Sequence, residues 1–144
     1  MNEIKNILFK YKSIAMVGVS KDIKKTSTIV MNYMQDYGFK VYPVNPSAKG
    51  EIILGEEVYA KITDINKNID IVDVFRPSEE VYEIAEDAIK IGAKVLWLQL
   101  GIRDENSKKL IEDNQMKYIE NKCTKMEYQK HFLKIRQAFP ALND

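Results

Sequence analysis

The sequence predicts an α/β fold of three layers, with helices on both faces of a five-stranded, mainly parallel β-sheet. Two observations support this prediction. Short runs of apolar and β-forming residues recur along the chain, and segments with the 3–4 residue apolar spacing of helices separate them. Such alternation is typical of parallel sheets with right-handed crossovers. The 144 residues fit one domain of roughly 100–200 residues, so we expect a single domain over positions 1–144.

The five predicted strands are nearly continuous apolar runs, as expected for strands that are buried on both faces. In chain order they cover residues 13–19, 39–44, 69–75, 94–100 and, more weakly, 116–119.

The predicted helices lie before, between and after these strands. They cover residues 1–11, 27–37, 78–91, 104–114 and 127–139. Ser78 is the expected N-cap of the third, and Gly38 and Gly92 follow the ends of the second and third. We expect segments 1–12 and 127–144 to pack on the domain as its leading and C-terminal helices. Residues 45–64 interrupt the alternation and predict a long ordered loop with a short edge strand at 52–54.

The composition excludes several classes of partner. The chain has 22 Lys and Arg against 21 Asp and Glu, so its net charge is +1. This charge provides no strong positive potential that would bind nucleic acid. No apolar run approaches the roughly 20 residues that span a bilayer. The single cysteine, Cys123, cannot form an intrachain disulfide, which favours a cytoplasmic location. We expect neither nucleic acid nor membrane as partner, while a protein partner or a homo-oligomer stays open.

The binding site is expected where the strands end, because open parallel sheets bind ligands outside their carboxyl edge. The first strand runs into Gly18 and Ser20, and a helix then opens with four polar residues. Gly18 permits a tight turn, and a helix N-terminus binds phosphate. We therefore favour a phosphate site here over a mere N-cap flanked by solvated lysines. The four helix-opening residues are Lys24, Lys25, Thr26 and Ser27.

The usual dinucleotide fingerprint is not satisfied by this turn. The G-x-G-x-x-G pattern would require glycine where Ser20 and Ile23 stand. The acidic residue that contacts the ribose after the second strand is also missing, because Asn45 and Pro46 occupy that place. NAD is therefore disfavoured, although another nucleotide is not.

Five motifs in order carry a resemblance to a known family. They read VGVS from Val17, PVNP from Pro43, ILGExVY from Ile53, DIVDVFR from Asp70 and VLWLQLG from Val95. Together they resemble the small stand-alone CoA-binding domain proteins of bacteria and archaea. These are similar in turn to the N-terminal CoA-binding domain of the succinyl-CoA synthetase α subunit. The resemblance covers residues 13–129 and implies a Rossmann-like fold with coenzyme A (CoA) across the strand ends.

This sequence departs from the family pattern at two places. An Arg/Lys-Pro-Ser triplet commonly precedes the first long helix, and here it reads Lys25-Thr26-Ser27. Charge and hydroxyl remain, but the rigid proline is lost. Near the end of the chain, Tyr128 stands where the family often has histidine.

Further candidate contacts follow the other strands. Lys49 is either a phosphate or adenine contact or a solvated lysine. Arg76, with its forked guanidinium, is favoured as a phosphate contact over a surface arginine. Phe75 is either a contact for adenine or pantetheine or a core residue. Gln99 is expected to hydrogen-bond pantetheine, and Cys123 is either an inert buried thiol or a partner for the cofactor thiol. The remaining expected cofactor-binding residues are Val19, Pro77, Gly101 and Ile102.

The sequence favours a binding module for CoA or an acyl-CoA, non-catalytic or regulatory, with no metal. No nucleophile–base pair is visible. The alternative is an enzyme that binds another nucleotide such as NAD(P), an oxidoreductase or a transferase. A third interpretation is a regulator that binds a partner through apolar residues of the last helix, near Phe132 and Phe139.

Overall fold

The computed structural model describes residues 2–134, which form a twisted parallel sheet between two layers of helices. The elements in chain order are α1 (Glu3–Lys10), β1 (Ser13–Val17), α2 (Thr26–Asp36), β2 (Lys40–Val44), β3 (Ile52–Ile53), β4 (Glu56–Glu57), β5 (Ile71–Val74), α3 (Val81–Lys90), β6 (Val95–Leu98), α4 (Glu105–Asp113), β7 (Lys117–Ile119) and α5 (Thr124–Phe132). The Rossmann-like α/β fold predicted from the sequence is confirmed.

The main sheet has the strand order β2-β1-β5-β6-β7, and all its strands are parallel. The chain passes from β1 to β2 at one edge and then returns to the other side of β1 as β5. Val17, the last residue of β1, pairs with Val44 on one side and Val74 on the other. The order therefore reverses beside β1, and a crevice opens there between the following loops.

Each face of the sheet has its own apolar core. The α1, α2 and α5 side buries large residues such as Met34 and Trp97 completely. The α3 and α4 side uses small residues where helix meets sheet, including Ala85 and Ala88. Phe132 of α5 is half-buried on the first side and stacks on Tyr128 at 4.8 Å, whereas Phe139 lies outside the described residues.

The ends of several elements differ from the sequence prediction. The first strand ends at Val17 because Gly18 has φ +95°, a turn conformation that leaves the strand. The prediction that Ser78 caps α3 is wrong. Ser78 begins a separate 3₁₀ turn, and its hydroxyl accepts the N–H of Arg103 at 3.1 Å. Helix α5 begins at Thr124 and ends at Phe132, earlier than predicted, and Lys134 has a non-helical φ of 58°. Positions 135–139 of the predicted helix lie outside the described residues.

The short strand predicted at 52–54 is present as β3, but it is not an edge strand of the main sheet, because β3 pairs only with β4 in a separate antiparallel hairpin. Leu54 and Gly55 both have positive φ, 50° and 82°, as a two-residue type I′ turn requires. After the hairpin, Tyr59 forms a parallel bridge with Val44. This bridge brings the end of the long loop to the carboxyl edge of the sheet. None of the helices within residues 2–134 is long and apolar enough to cross a membrane.

Candidate functional site

A cleft of about 750 Å³ opens at the carboxyl ends of β1 and β2, beside α3. Its volume falls within the roughly 300–1,000 Å³ of small-molecule sites. Of the sequence-predicted residues, it brings together Gly18, Asn45, Pro46 and Arg76. Apolar residues from strands and helix also line it, namely Val17, Val44, Ile62 and Ile84. The cleft thus joins an apolar lining to polar groups at the point where the strand order reverses.

Gly18 lies where two of the loops meet. Its N–H donates to the carbonyl of Val44 at 2.8 Å. A β-carbon at this position would stand 2.9 Å from Cδ of Arg76 and 3.0 Å from the carbonyl oxygen of Phe75. Glycine is therefore required by both its positive φ and the close approach of the neighbouring strand end.

The loop between β1 and α2 is held by its own side chains. The N–H of Ser20 donates to Oγ of Ser27 at 3.0 Å, and Oγ1 of Thr28 donates to the carbonyl of Ser20 at 2.7 Å. Ser27 and Thr28 are both buried, so their hydroxyls shape the loop. The side chain of Lys25, the N-cap residue of α2, makes no capping hydrogen bond. The first N–H groups of a helix have no intrahelical partner, so this end of α2 suits an anion.

Charge around this helix end is mixed. Lys24, Lys25 and Thr26 are exposed there, as a phosphate site requires. Asp22, which the sequence analysis did not consider, is also exposed, and its Oδ1 accepts the N–H of Lys24 at 2.9 Å. One carboxylate therefore opposes the two lysines at the proposed phosphate site.

Asn45 connects the loops after β1 and β2. Its Nδ2 donates to the carbonyl of Val19 at 2.9 Å. Its Oδ1 accepts the N–H and the hydroxyl of Ser47, at 3.0 and 2.8 Å. Both ends of the Asn45 amide are thus used within the protein, so Asn45 positions the loops.

Arg76 faces the cleft but is already paired. Its Nε and Nη2 bind the two carboxylate oxygens of Glu80 at 3.0 and 2.8 Å, and this fork holds the pKa of Glu80 below its usual range. Further polar residues of α3 line the cleft and were not predicted from the sequence. Their 3–4 residue spacing, which places them along one side of the helix, is the signal that could have found them. They are Glu83, Glu86, Asp87 and Lys90. Lys61, from the segment after the hairpin, was missed as well.

A buried polar cluster lies at the same edge of the sheet, under α5. Asp73 of β5 is fully buried, and its two oxygens accept from Nε2 of Gln99 at 2.6 Å and Oγ1 of Thr124 at 3.1 Å. Burial raises the pKa of Asp73 to about 7, against the opposing effect of these hydrogen bonds. The amide nitrogen of Gln99 is thus committed inside the protein.

The other sequence-predicted residues are spread along this edge. Cys123 is 7% exposed, and burial raises the pKa of its thiol, which favours the inert form. The N–H of Gly101 donates to Oδ1 of Asn121 at 2.7 Å. Half-buried Phe75 and Ile102 pack against opposite cores, and Val19 is fully buried. Lys49 and Pro77 are exposed and do not line the cleft.

Comparison with known proteins assigns this chain to a family. The model of the CoA binding domain matches residues 12–129, which include every strand. The chain belongs to the CoA binding domain family. The resemblance seen in the sequence motifs is thereby confirmed.

Relatives of this family member include both short and long proteins. This chain is 36% identical over 126 residues to YneT of Bacillus subtilis (strain 168), and the match covers 88% of this chain and 92% of YneT. A solved structure from Thermus thermophilus superposes with a TM-score of 0.87 at 31% identity, covering 92% of this chain and all of that one. The ADP-forming acetate–CoA ligase of Methanocaldococcus jannaschii is 33% identical over 92 residues. That match covers 64% of this chain but only 13% of the ligase.

The residues of this CoA binding domain fit a nucleotide with several phosphates. Gly18 lets the turn after β1 lie against the end of β5, and the end of α2 offers N–H groups next to Lys24 and Lys25. The apolar lining of the cleft suits an adenine ring. When bound, CoA would supply a thiol that carries acyl groups.

Proposed function

We propose that this chain binds CoA or an acyl-CoA at the carboxyl edge of its sheet, as a module without catalysis of its own. The observation that carries the proposal is that the family match and the position of the cleft point to the same edge of the sheet. The CoA binding domain match spans the whole sheet, and the cleft opens where its strand order reverses.

The described contacts suggest an orientation for the cofactor. The diphosphate would lie at residues 20–27, where the exposed end of α2 and its lysines offer positive charge. The adenosine would enter the cleft near Asn45 and Pro46, whose loop is fixed by hydrogen bonds. Pantetheine would then run past Gly101 and Ile102 at the end of β6. Gln99 would support this path indirectly, because its amide nitrogen donates to Asp73.

Calorimetric titration of CoA, acetyl-CoA and NAD against the wild type and Ser20→Asp tests this proposal. The new carboxylate would stand beside the bound diphosphate, so we expect Ser20→Asp to weaken CoA binding at least about tenfold. Asn66→Asp is the matched control, because it adds the same charge at an exposed position before β5 that does not line the cleft. It should leave the affinity within about twofold of the wild type.

Two results would contradict the proposal. Binding of NAD without binding of CoA would make the chain a different nucleotide-binding protein. Equal CoA affinity of the wild type and Ser20→Asp would move the phosphate site away from α2.

A further inference from the structure

Three cations of the described part of the chain line the cleft, namely Lys61, Arg76 and Lys90, and they differ in their partners. Arg76 is forked to Glu80, and Lys90 lies 3.7 Å from Asp87. Lys61, by contrast, forms no ion pair with any residue in the described range 2–134. Within the described residues, Lys61 is thus the cation of the cleft that has no carboxylate partner.

The backbone that carries Lys61 is anchored on both sides. The N–H of Asn45 donates to the carbonyl of Tyr59 at 2.8 Å, and the N–H of Tyr59 donates to the carbonyl of Pro43 at 3.0 Å. Ile62, directly after Lys61, is 4% exposed and packs in the core on the α3 side. The lysine is therefore presented to the cleft from a fixed segment.

The remaining charges of the cleft make this cation important. Among residues 2–134, the 3₁₀ turn before α3 and the helix itself bring four carboxylates to the cleft, of which Glu80 and Asp87 are paired while Glu83 and Glu86 add negative charge. These carboxylates repel a phosphate from the α3 side of the cleft. A phosphate that enters the cleft thus requires an unpaired cation outside α3, and Lys61 provides one.

We propose that Lys61 binds the 3′-phosphate of the adenosine of CoA, and thereby makes this chain prefer CoA to dephospho-CoA. The inference rests on the proposed function, which puts the diphosphate at α2 and the adenosine in the cleft. CoA and dephospho-CoA differ only in the phosphate on the ribose. In that orientation this phosphate lies in the cleft. The residue that binds it therefore determines how strongly the chain prefers CoA to dephospho-CoA.

The test is calorimetric titration of CoA and of dephospho-CoA against the wild type, Lys61→Gln, Lys61→Arg and Lys67→Gln. We expect the wild type to bind CoA about fivefold more tightly than dephospho-CoA, as a partly exposed ion pair allows. Lys61→Gln should lose this preference by weakening CoA alone, and Lys61→Arg should keep it. Lys67→Gln removes the same charge at an exposed position outside the cleft and should behave as the wild type. The preference should shrink as salt is raised, because ions screen the contact.

The possible failures are distinguishable. If Lys61→Gln keeps the preference, or if the wild type has none, the role of Lys61 is overturned while CoA binding stands. If the wild type binds neither nucleotide, the proposed function fails, and this inference fails with it.

Discussion

A β-carbon on Gly18 would stand 3.0 Å from the carbonyl oxygen of Phe75, so the turn after β1 touches the end of β5. Position 18 therefore requires glycine for two separate reasons, the positive φ and the lack of space for a β-carbon.

Gly18→Ala is expected to destabilise the protein more than Gly38→Ala. The two glycines have nearly the same φ, +95° and +94°, but a β-carbon at Gly38 would meet nothing within 4 Å. Gly38→Ala should therefore lower the free energy of unfolding by about 1–2 kcal/mol through backbone strain alone. Gly18→Ala adds a steric contribution of about 1–3 kcal/mol and should also weaken CoA binding. Urea unfolding and calorimetry measure both effects, and equal destabilisation of the two variants would contradict the steric argument.

Asp22→Asn is expected to tighten CoA binding by about two- to fivefold at low salt, because it removes a negative charge beside the proposed diphosphate site. The asparagine oxygen still accepts the N–H of Lys24, which keeps the turn intact. Asp36→Asn removes the same charge at the far end of α2 and should change little. Titrations at two salt concentrations check this; weaker binding by Asp22→Asn would count against a phosphate there.

Glu80→Gln is expected to tighten CoA binding by about two- to fivefold if Arg76 contacts a phosphate, because the variant releases the guanidinium from its fork. Stability should change by less than about 0.5 kcal/mol, since the pair is exposed. The double variant Arg76→Gln/Glu80→Gln decides the cause. In an Arg76→Gln background, the second change should have no effect on affinity. If Glu80→Gln still tightens CoA binding in the Arg76→Gln background, the cause is the loss of a negative charge near the ligand and not the release of Arg76.

Asp73 should make the protein less stable as the pH rises. Its pKa of about 7 in the folded state exceeds the value near 3.8 of an unburied carboxyl, so the folded state binds more protons between these values. The contribution is fully present below about pH 4 and is lost as the pH approaches 7, with a slope of up to about 1.4 kcal/mol per pH unit.

Asp73→Asn should remove this slope. Urea unfolding of the wild type and the variant between pH 4 and 8 measures the difference in free energy of unfolding. Asp70→Asn, which changes a neighbouring carboxylate before β5, should keep the wild-type slope. Parallel curves for the wild type and Asp73→Asn would show that burial does not perturb this carboxyl.

The strands and their order along the chain were predictable, because near-continuous apolar runs such as 13–19 leave few alternatives. The ends of strands and helices were less predictable, because Gly18 and Ser78 make contacts with other segments of the chain. Ser78 has the sequence signature of an N-cap, yet its hydroxyl accepts from Arg103, 25 positions further along.

The geometry of the candidate phosphate site was predictable where it depends on one loop, because Ser20 and Lys24 lie directly before α2 in the sequence. That these residues bind phosphate stays a prediction. The geometry was not predictable where distant segments meet. Lys61 reaches the cleft because Tyr59 bridges Val44, a register that no local pattern specifies. The contact of Asp73 with Thr124 likewise joins positions 51 apart, which spacing rules do not reach.

The two hydrogen-bonding ends of Asn45 tie Val19 to Ser47, at the place where dinucleotide enzymes hold an acid for the ribose. In this chain the side chain at that place holds two loops together. An aspartate at position 45 would set its oxygen against the carbonyl of Val19 and separate the loops. The acid of the dinucleotide fingerprint would therefore remove, at position 45, the amide donor that joins the loops after β1 and β2.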